Sequence, residues 1–458
     1  MSKNQGGKVM TSGAVFPLLV SFALPIMLSG ILQQLYGAVD SAVVGRFSGP
    51  EALGAIGATS SLTNLILALF IGMSTGTGIV VAQFIGADDE DSVSKAVHTA
   101  IAFSIAGGLF LMAFGGLFAG KILELMSVPA DILPLSKLYM RVFFLGSVPS
   151  LVYNFAAGIL RASGDSKRPL YFLIVATIVN ITFNLIFVIV FHMGVMGVAI
   201  STIMSQTVSA VLAVLRLTKV DDVVRLDIRK IKFNKRMLVK IVMIGVPAGL
   251  QSSMFSFSNT IIQSTINSFG KSAVAGCAAS SQIENFVYTV MNSISLATTT
   301  FIGQNFGAGK FDRCSNGMKK SFFFVTVVGI VLGAGLGVFK TPLLSLFTDD
   351  ADALFYGGQR IIVFAFTYFL CGIMEIISGT IRGYGDSLSP MLISLVGVVG
   401  SRMLWIFTVL PFNRVISMVY AAFPISWGVT IIALLIRYKF NKKKLKERYE
   451  KDFSKVIN

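Results

Sequence analysis

Apolar residues in this chain run on for about 20 positions at a time, the length a helix needs to cross the hydrocarbon core of a bilayer. Twelve such runs can be marked, beginning near Phe16, Ala52, Ser94, Ile132, Leu170, Val195, Met237, Ala273, Ser321, Ala353, Met391 and Val415. Pro25, Pro149, Pro247 and Pro424 fall inside them. Spans tolerate this because neighbouring helices satisfy the freed backbone groups. A membrane β-barrel would show alternating segments of about ten residues, and no run has that pattern. The predicted fold class is an all-α integral membrane protein with twelve transmembrane helices.

The pattern is written twice. GILRASGDSKRP at 158–169 returns as GTIRGYGDSLSP at 379–390, 221 residues later, with six of twelve positions identical. At the same offset AQFIGA (82–87) falls on GQNFGA (303–308), Ala52 on Ala273 and Arg216 on Arg437; with one residue of slip, Pro25 falls on Pro247. An even number of spans per half gives both halves the same orientation, so two parallel six-helix repeats are expected, related by a pseudo-two-fold axis along the membrane normal. The boundaries read as an N-terminal lobe 1–218, a basic linker 219–236, a C-terminal lobe 237–438 and a basic tail 439–458. In the repeated turn, Gly164 and Gly385 suit a left-handed helix end. Arg161 and Arg382 suit the negative end of the helix dipole, and Pro169 and Pro390 the first turn of the next helix. The turn reads either as a tight hairpin or as one of two gates on the inner side.

Composition agrees with the class. Apolar residues make up 54% and charged residues 13%, against roughly 25% charged in a soluble domain. Cys277, Cys314 and Cys371 are scattered and match no zinc or redox spacing, and only two His are present. No secretory signal is visible. With twelve spans and both ends on one side, that side holds 29 of the 38 Lys and Arg, the opposite loops hold eight, and Arg402 falls within a span. Both ends are therefore expected in the cytoplasm. The net charge of +16 is a topology signal that meets anionic lipid headgroups rather than nucleic acid. The acidic loop DDEDSVSK (88–95) runs against the charge rule and reads only as a helix cap. No paired His, serine–lysine dyad or metal motif lies in the spans, so neither an enzyme nor a resident cofactor is expected. No channel filter motif occurs.

Candidate chemistry is concentrated in few residues. Only Asp40, Glu284 and Glu375 put carboxylates well inside predicted spans. Such a group is a functional-site hypothesis by default, unless headgroups wet it at a span end. Asn180 and Asn184, spaced i, i+4, share one face of the fifth span; Thr202 lies on the sixth and Asn154 on the fourth. With Asp40 these supply the hard oxygen ligands of a Na+ ion, or hydrogen-bond partners for a protonated Asp40. The amides could equally join helices to one another. Nineteen Met and 38 Phe offer soft, aromatic surface. A substrate lining is drawn from Gln34, Tyr36, Met73, Met254, Phe255, Tyr288, Met291 and Asn292 with Glu284 and Glu375, each of which could also be ordinary packing. Arg402 reads as the only clear basic residue deep in a span.

YGAVDSAVVGRFSG (36–49), IGATSS (56–61), VAQFIGA (81–87), GILRASGDSKRP and FIGQNFGAGK (301–310) together resemble the multidrug and toxic compound extrusion (MATE) transporters, bacterial branch, over nearly the whole chain. The resemblance implies an antiporter that expels small cationic amphiphilic drugs by alternating access, driven by inward H+ or Na+ and plausible as a monomer. It implies that Asp40 binds the coupling cation, with Asn180 and Thr202 beside it. Some relatives carry an aspartate where Asn184 stands, so one negative charge is missing here and the choice of ion stays open. Glu375 sits where relatives commonly carry an acid, whereas the seventh-span acid of some relatives is replaced by QSSMFSFSN (251–259). Pro25 is the nearest hinge. A flippase for a lipid-linked or amphiphilic substrate, from a related superfamily, is the alternative, and it calls for a more basic cavity.

Overall fold

A computed structural model describes residues 10–126 and 128–457, so the first nine residues assigned to the N-terminal lobe and the last residue of the tail lie outside the described residues. Those described fold into helices α1 (Val15–Phe47), α2 (Gly49–Gly86), α3 (Glu90–Leu125), α4 (Leu133–Leu145 continued by Ser147–Ala162), α5 (Lys167–Val190) and α6 (Gly194–Lys219). The second series is α7 (Lys235–Asn267), α8 (Lys271–Gly307), α9 (Phe311–Val338), α10 (Ala351–Gly383), α11 (Leu388–Thr408) and α12 (Ile416–Ile457). Ten are long and apolar enough to span, and α4 is an eleventh broken by a 47° bend. The ninth helix starts ten residues ahead of the apolar run that announced it, because its first turns, FDRCSNGMKK, are polar.

The remaining long helix, α8, is too polar to pass as a lipid-facing span. Ser280 and the Ser, Thr, Gln and Asn side chains from Ser293 to Asn305 are buried inside the fold instead. Lipid offers no hydrogen-bond partners, so these groups bond within the protein. Ser280 donates to the Gly276 carbonyl (3.0 Å), Thr298 to that of Ile294 (2.8 Å) and Thr299 to that of Ser295 (2.9 Å). Gly276 lets α10 lie against α8: a Cβ there would stand 2.1 Å from the Ala353 carbonyl oxygen.

Two compact units emerge. Unit 1 contains Leu28–Val246; unit 2 contains Met10–Met27 together with Pro247–Asn458. The divisions fall two residues after Pro25 in α1 and directly before Pro247 in α7, the two prolines inside these helices. The segment from Met10 to Phe16 is tied into unit 2: Met10 N–H donates to Gln304 (2.7 Å), Arg313 donates to the Met10 carbonyl (3.0 Å), and the Phe16 ring packs on Phe324. The start of α7 is tied into unit 1, where a Cβ on Gly245 would lie 2.6 Å from Met73 Cα. The segment 219–236 is more than a linker. Val220, Val224 and Leu226 are buried, Asp227 N–H donates to His98 Nε2 (3.1 Å) and Asn234 N–H to Thr99 Oγ1 (3.0 Å). The acidic loop ahead of α3 provides its cap, with Asp89 accepting from Ser92 N–H (3.0 Å).

The twice-written turn has a common construction. Gly164 and Gly385 take φ of 88° and 83°, where a side chain is strained. The following aspartate then caps the next helix: Asp165 accepts from Arg168 N–H and Asp386 from Ser389 N–H, both at 3.1 Å. In unit 2 the tail adds to this. α12 continues through 439–457 with Leu445 and Phe453 buried. Its Arg437 (3.0 Å) and Asn441 (3.1 Å) donate to Asp386, and Arg448 to the Gly385 carbonyl (2.7 Å). Burial alone would raise the Asp386 carboxyl, but hydrogen bonds from Asn441, Ser389 and Arg437 outweigh it and hold the group below the ordinary carboxylate range.

A carboxylate whose pKa is depressed on folding contributes stability above its unfolded pKa of about 4, and that stability is lost as pH falls through the folded value. Thermal unfolding of the purified chain in detergent should therefore drop as pH is taken below about 4. For Asp386→Asn the midpoint should be lower at neutral pH and its acid slope shallower; an unchanged slope would remove Asp386 from the acid limb.

Candidate functional site

In unit 1 the polar face of α5 meets α1 and α6. Asn180 and Asn184 are fully buried and Asp40 and Thr202 partly so. Asn184 Nδ2 donates to Asp40 Oδ1 and to Asn180 Oδ1 (3.1 Å), and Thr202 Oγ1 reaches Asp40 Oδ2 over a long 3.4 Å. One turn before Asp40, the Tyr36 hydroxyl bonds Ser205 Oγ (2.9 Å). The amides are incompletely satisfied: Asn180 Nδ2 and Asn184 Oδ1 are buried without a partner. Leaving such a group unmade costs about 1–3 kcal/mol. Three helices therefore converge on one carboxylate, with spare hydrogen-bonding capacity around it.

Unit 2 treats its carboxylates differently. Glu284 on α8 forms a two-point ion pair with Arg360 on α10, Nε to Oε1 at 2.9 Å and Nη2 to Oε2 at 2.8 Å, and Arg360 also touches the Cys277 sulfur. The rings of Phe364 and Phe423 flank this guanidinium, with centroids 5.2 and 5.5 Å from Cζ. Glu375 pairs with Arg382 (3.2 Å), two turns along the same helix. Both acids are buried and both are neutralised by an arginine.

The MatE family model matches residues 25–186 and again 247–408. The chain belongs to the MatE family. YoeA of Bacillus subtilis, named as a probable multidrug resistance protein, is 28% identical over 92% of this chain and 93% of its own length. The multidrug export protein MepA of Staphylococcus aureus is 25% identical over 81% and 82%. Among solved structures, an outward-facing multidrug resistance MATE transporter superposes with a TM-score of 0.91 at 20% identity, covering 98% of this chain and all of that one. A MATE transporter in its bent conformation gives 0.90. This MatE chain is thus a multi-pass membrane transporter of the multidrug efflux family, all-helical and built from two repeats; it is not an enzyme.

Of the residues singled out from the MatE sequence, Asp40, Asn180, Asn184 and Thr202 come together. Asn154 does not join them: its amide donates to the Ser150 carbonyl on its own helix (2.8 Å). It stands where unit 2 has Glu375, and the repeat shows in the backbone there, since Ser74 and Ser295 donate to the Asn154 and Glu375 carbonyls at 2.7 and 2.8 Å. Met73 and Met291 are buried packing residues, the latter meeting α10 where a Cβ on Gly372 would lie 2.9 Å from its sulfur. Gln34 and Asn292 are exposed, while Tyr36, Met254, Phe255 and Tyr288 are partly buried. Pro25 is buried within α1. Arg360 is the residue the sequence reading missed. It is not a loop cation, and Arg402 is not alone among basic residues in the spans, because Arg360 lies inside α10 at 7% exposure. The signal that would have found it is the need of a mid-span Glu284 for a counter-charge.

Removing one member of a buried ion pair strands the other, at a cost of about 3–5 kcal/mol. Glu284→Gln and Arg360→Gln should each lower the thermal midpoint sharply, and Glu284→Leu combined with Arg360→Met should recover much of the loss. Equal, additive losses would show that the two groups are not coupled.

Proposed function

We propose that this chain is a secondary active exporter of small cationic amphiphilic drugs, exchanging them for H+ or Na+ at Asp40 by alternating access. The observation that carries the reading is the convergence of α1, α5 and α6 on a single mid-span carboxylate with partnerless amide atoms beside it. A structural carboxylate would be saturated, as Glu284 is by Arg360. Asp40 instead keeps room for a cation as cargo. Its carboxylate, the Asn180 and Asn184 amide oxygens and the Thr202 hydroxyl are all hard oxygen donors of the kind that suits Na+. The same atoms suit a proton on Asp40. Filling the site removes the negative charge and loosens the demand of α1 for α5 and α6. Pro25, which interrupts the hydrogen-bond ladder of α1, is the hinge on which that helix would bend. The proposed setting is the bacterial inner membrane, both ends in the cytoplasm and the basic segments against lipid headgroups, with one chain as the working unit.

The test is ethidium export in proteoliposomes under a proton gradient and, separately, a sodium gradient. One of the two should drive export and so name the ion. Asp40→Asn should bring the rate down to that of protein-free vesicles with the monodispersity of the purified protein intact. Gradient-driven export by the variant at the unmodified rate would sink the assignment.

A further inference from the structure

Unit 2 holds a charge that no carboxylate among the described residues balances. Arg402 on α11 is 4% exposed. Its Nε donates to Ser426 (3.1 Å), its Nη1 to Ser258 (3.2 Å) and Asn259 (3.0 Å), and its Cζ lies 4.2 Å from the Phe423 ring centre. All these partners are neutral. No carboxylate pairs with it among the described residues, since Glu284 and Glu375 are taken by Arg360 and Arg382. Buried charges are ordinarily paired, and an intramembrane one marks a functional site by default. Asn259 is exposed, so the guanidinium lies one side chain from the surface of unit 2.

Its position carries the inference further. The two stretches that match the family model begin and end 222 residues apart. At that offset Arg402 falls on Asn180, Ile262 on Asp40, Ile406 on Asn184 and Ser258 on Tyr36. The repeated turn is offset by 221, and the π-helical turn Leu395–Gly400 in α11 takes up one extra residue between Pro390 and Arg402. π-turns of this kind are common at functional sites. On α6 and α12 the offset is again 221, so Ser426 falls on Ser205. The Tyr36–Ser205 pair beside the cation site of unit 1 thus corresponds to the two serines that hold Arg402. The same pocket of the fold carries a carboxylate in one unit and a guanidinium in the other.

We propose that Arg402, with Ser258, Asn259 and Ser426, is an anion-binding subsite for a carboxylate, sulfonate or phosphate group of a transported amphiphile. The inference rests on the reading of the chain as an exporter of amphiphiles, but its test needs no ion gradient. Rhodamine 110 and its methyl ester rhodamine 123 share one ring system and differ in a free carboxylate. Binding of both to the full chain in nanodiscs is measured by fluorescence anisotropy. Rhodamine 110 should bind more tightly, and Arg402→Gln should weaken it about ten-fold, the size of one charge-assisted hydrogen bond, while leaving rhodamine 123 within about two-fold. Asn259→Asp, which seats a carboxylate beside the guanidinium, should give the same selective loss and serves where Arg402→Gln does not fold. Equal affinity for the two dyes, or parallel losses for both, would overturn the subsite. Asp40→Asn should keep the preference for rhodamine 110, so failure at Arg402 and failure of ion coupling are read separately.

Discussion

A buried charge in a membrane protein has no water to fall back on, and the arrangement of this chain follows from how each such charge is met. On insertion scales a charge at mid-bilayer costs roughly 2.5–3.5 kcal/mol, too much to leave scattered. Glu284 and Glu375 are answered by arginines. Asp40 is answered by amides and a hydroxyl, which stabilise the carboxylate without cancelling it. The first solution cancels the charge, and the second leaves it in place, which is what the proposed exchange at Asp40 requires. The helices are placed accordingly: α8, too polar to face lipid, buries Ser280 and its polar side chains from Ser293 to Asn305, with Ser280, Thr298 and Thr299 bonded to carbonyls of their own helix.

Much of this was legible in the residues. Runs of apolar side chains announce spans because lipid admits little else, and eleven of the twelve starts lie within a few residues of the helices found. The ninth was late because polarity at a helix start hides the helix from a hydropathy reading. The cluster at Asp40 was legible because Asn180 and Asn184 sit one turn apart, so a single helix face is enough to bring them together. Arg360 was not legible as a partner of Glu284. It lies 76 residues away on another helix, and near the start of an apolar run it looks like any loop cation. Asn154 misled for the opposite reason: an amide inside a span was suggestive, but its rotamer satisfies the amide on the preceding turn of its own helix.

The two halves show what a duplicated fold keeps. Hydrogen bonds from Ser74 and Ser295 to carbonyls at equivalent places, and the aspartate caps after Gly164 and Gly385, recur almost to the tenth of an ångström. Each ties a side chain to the main chain, and a repeat that lost one would leave a helix contact or a turn unsupported. Side chains that face polar pockets are free of that constraint, and there the halves have parted: Asp40 against Ile262, Asn180 against Arg402, Asn154 against Glu375.

The exchange of α1 and α7 segments between the units bears on how the molecule is made. Met10 bonds Gln304, 294 positions further along the chain. At a synthesis rate of roughly 5–20 residues per second, the opening segment waits on the order of 15–60 s for its partner to be translated. During that wait residues 15–27 form one end of a helix whose other end belongs to the first unit. Neither half of the gene, translated alone, encodes a finished unit.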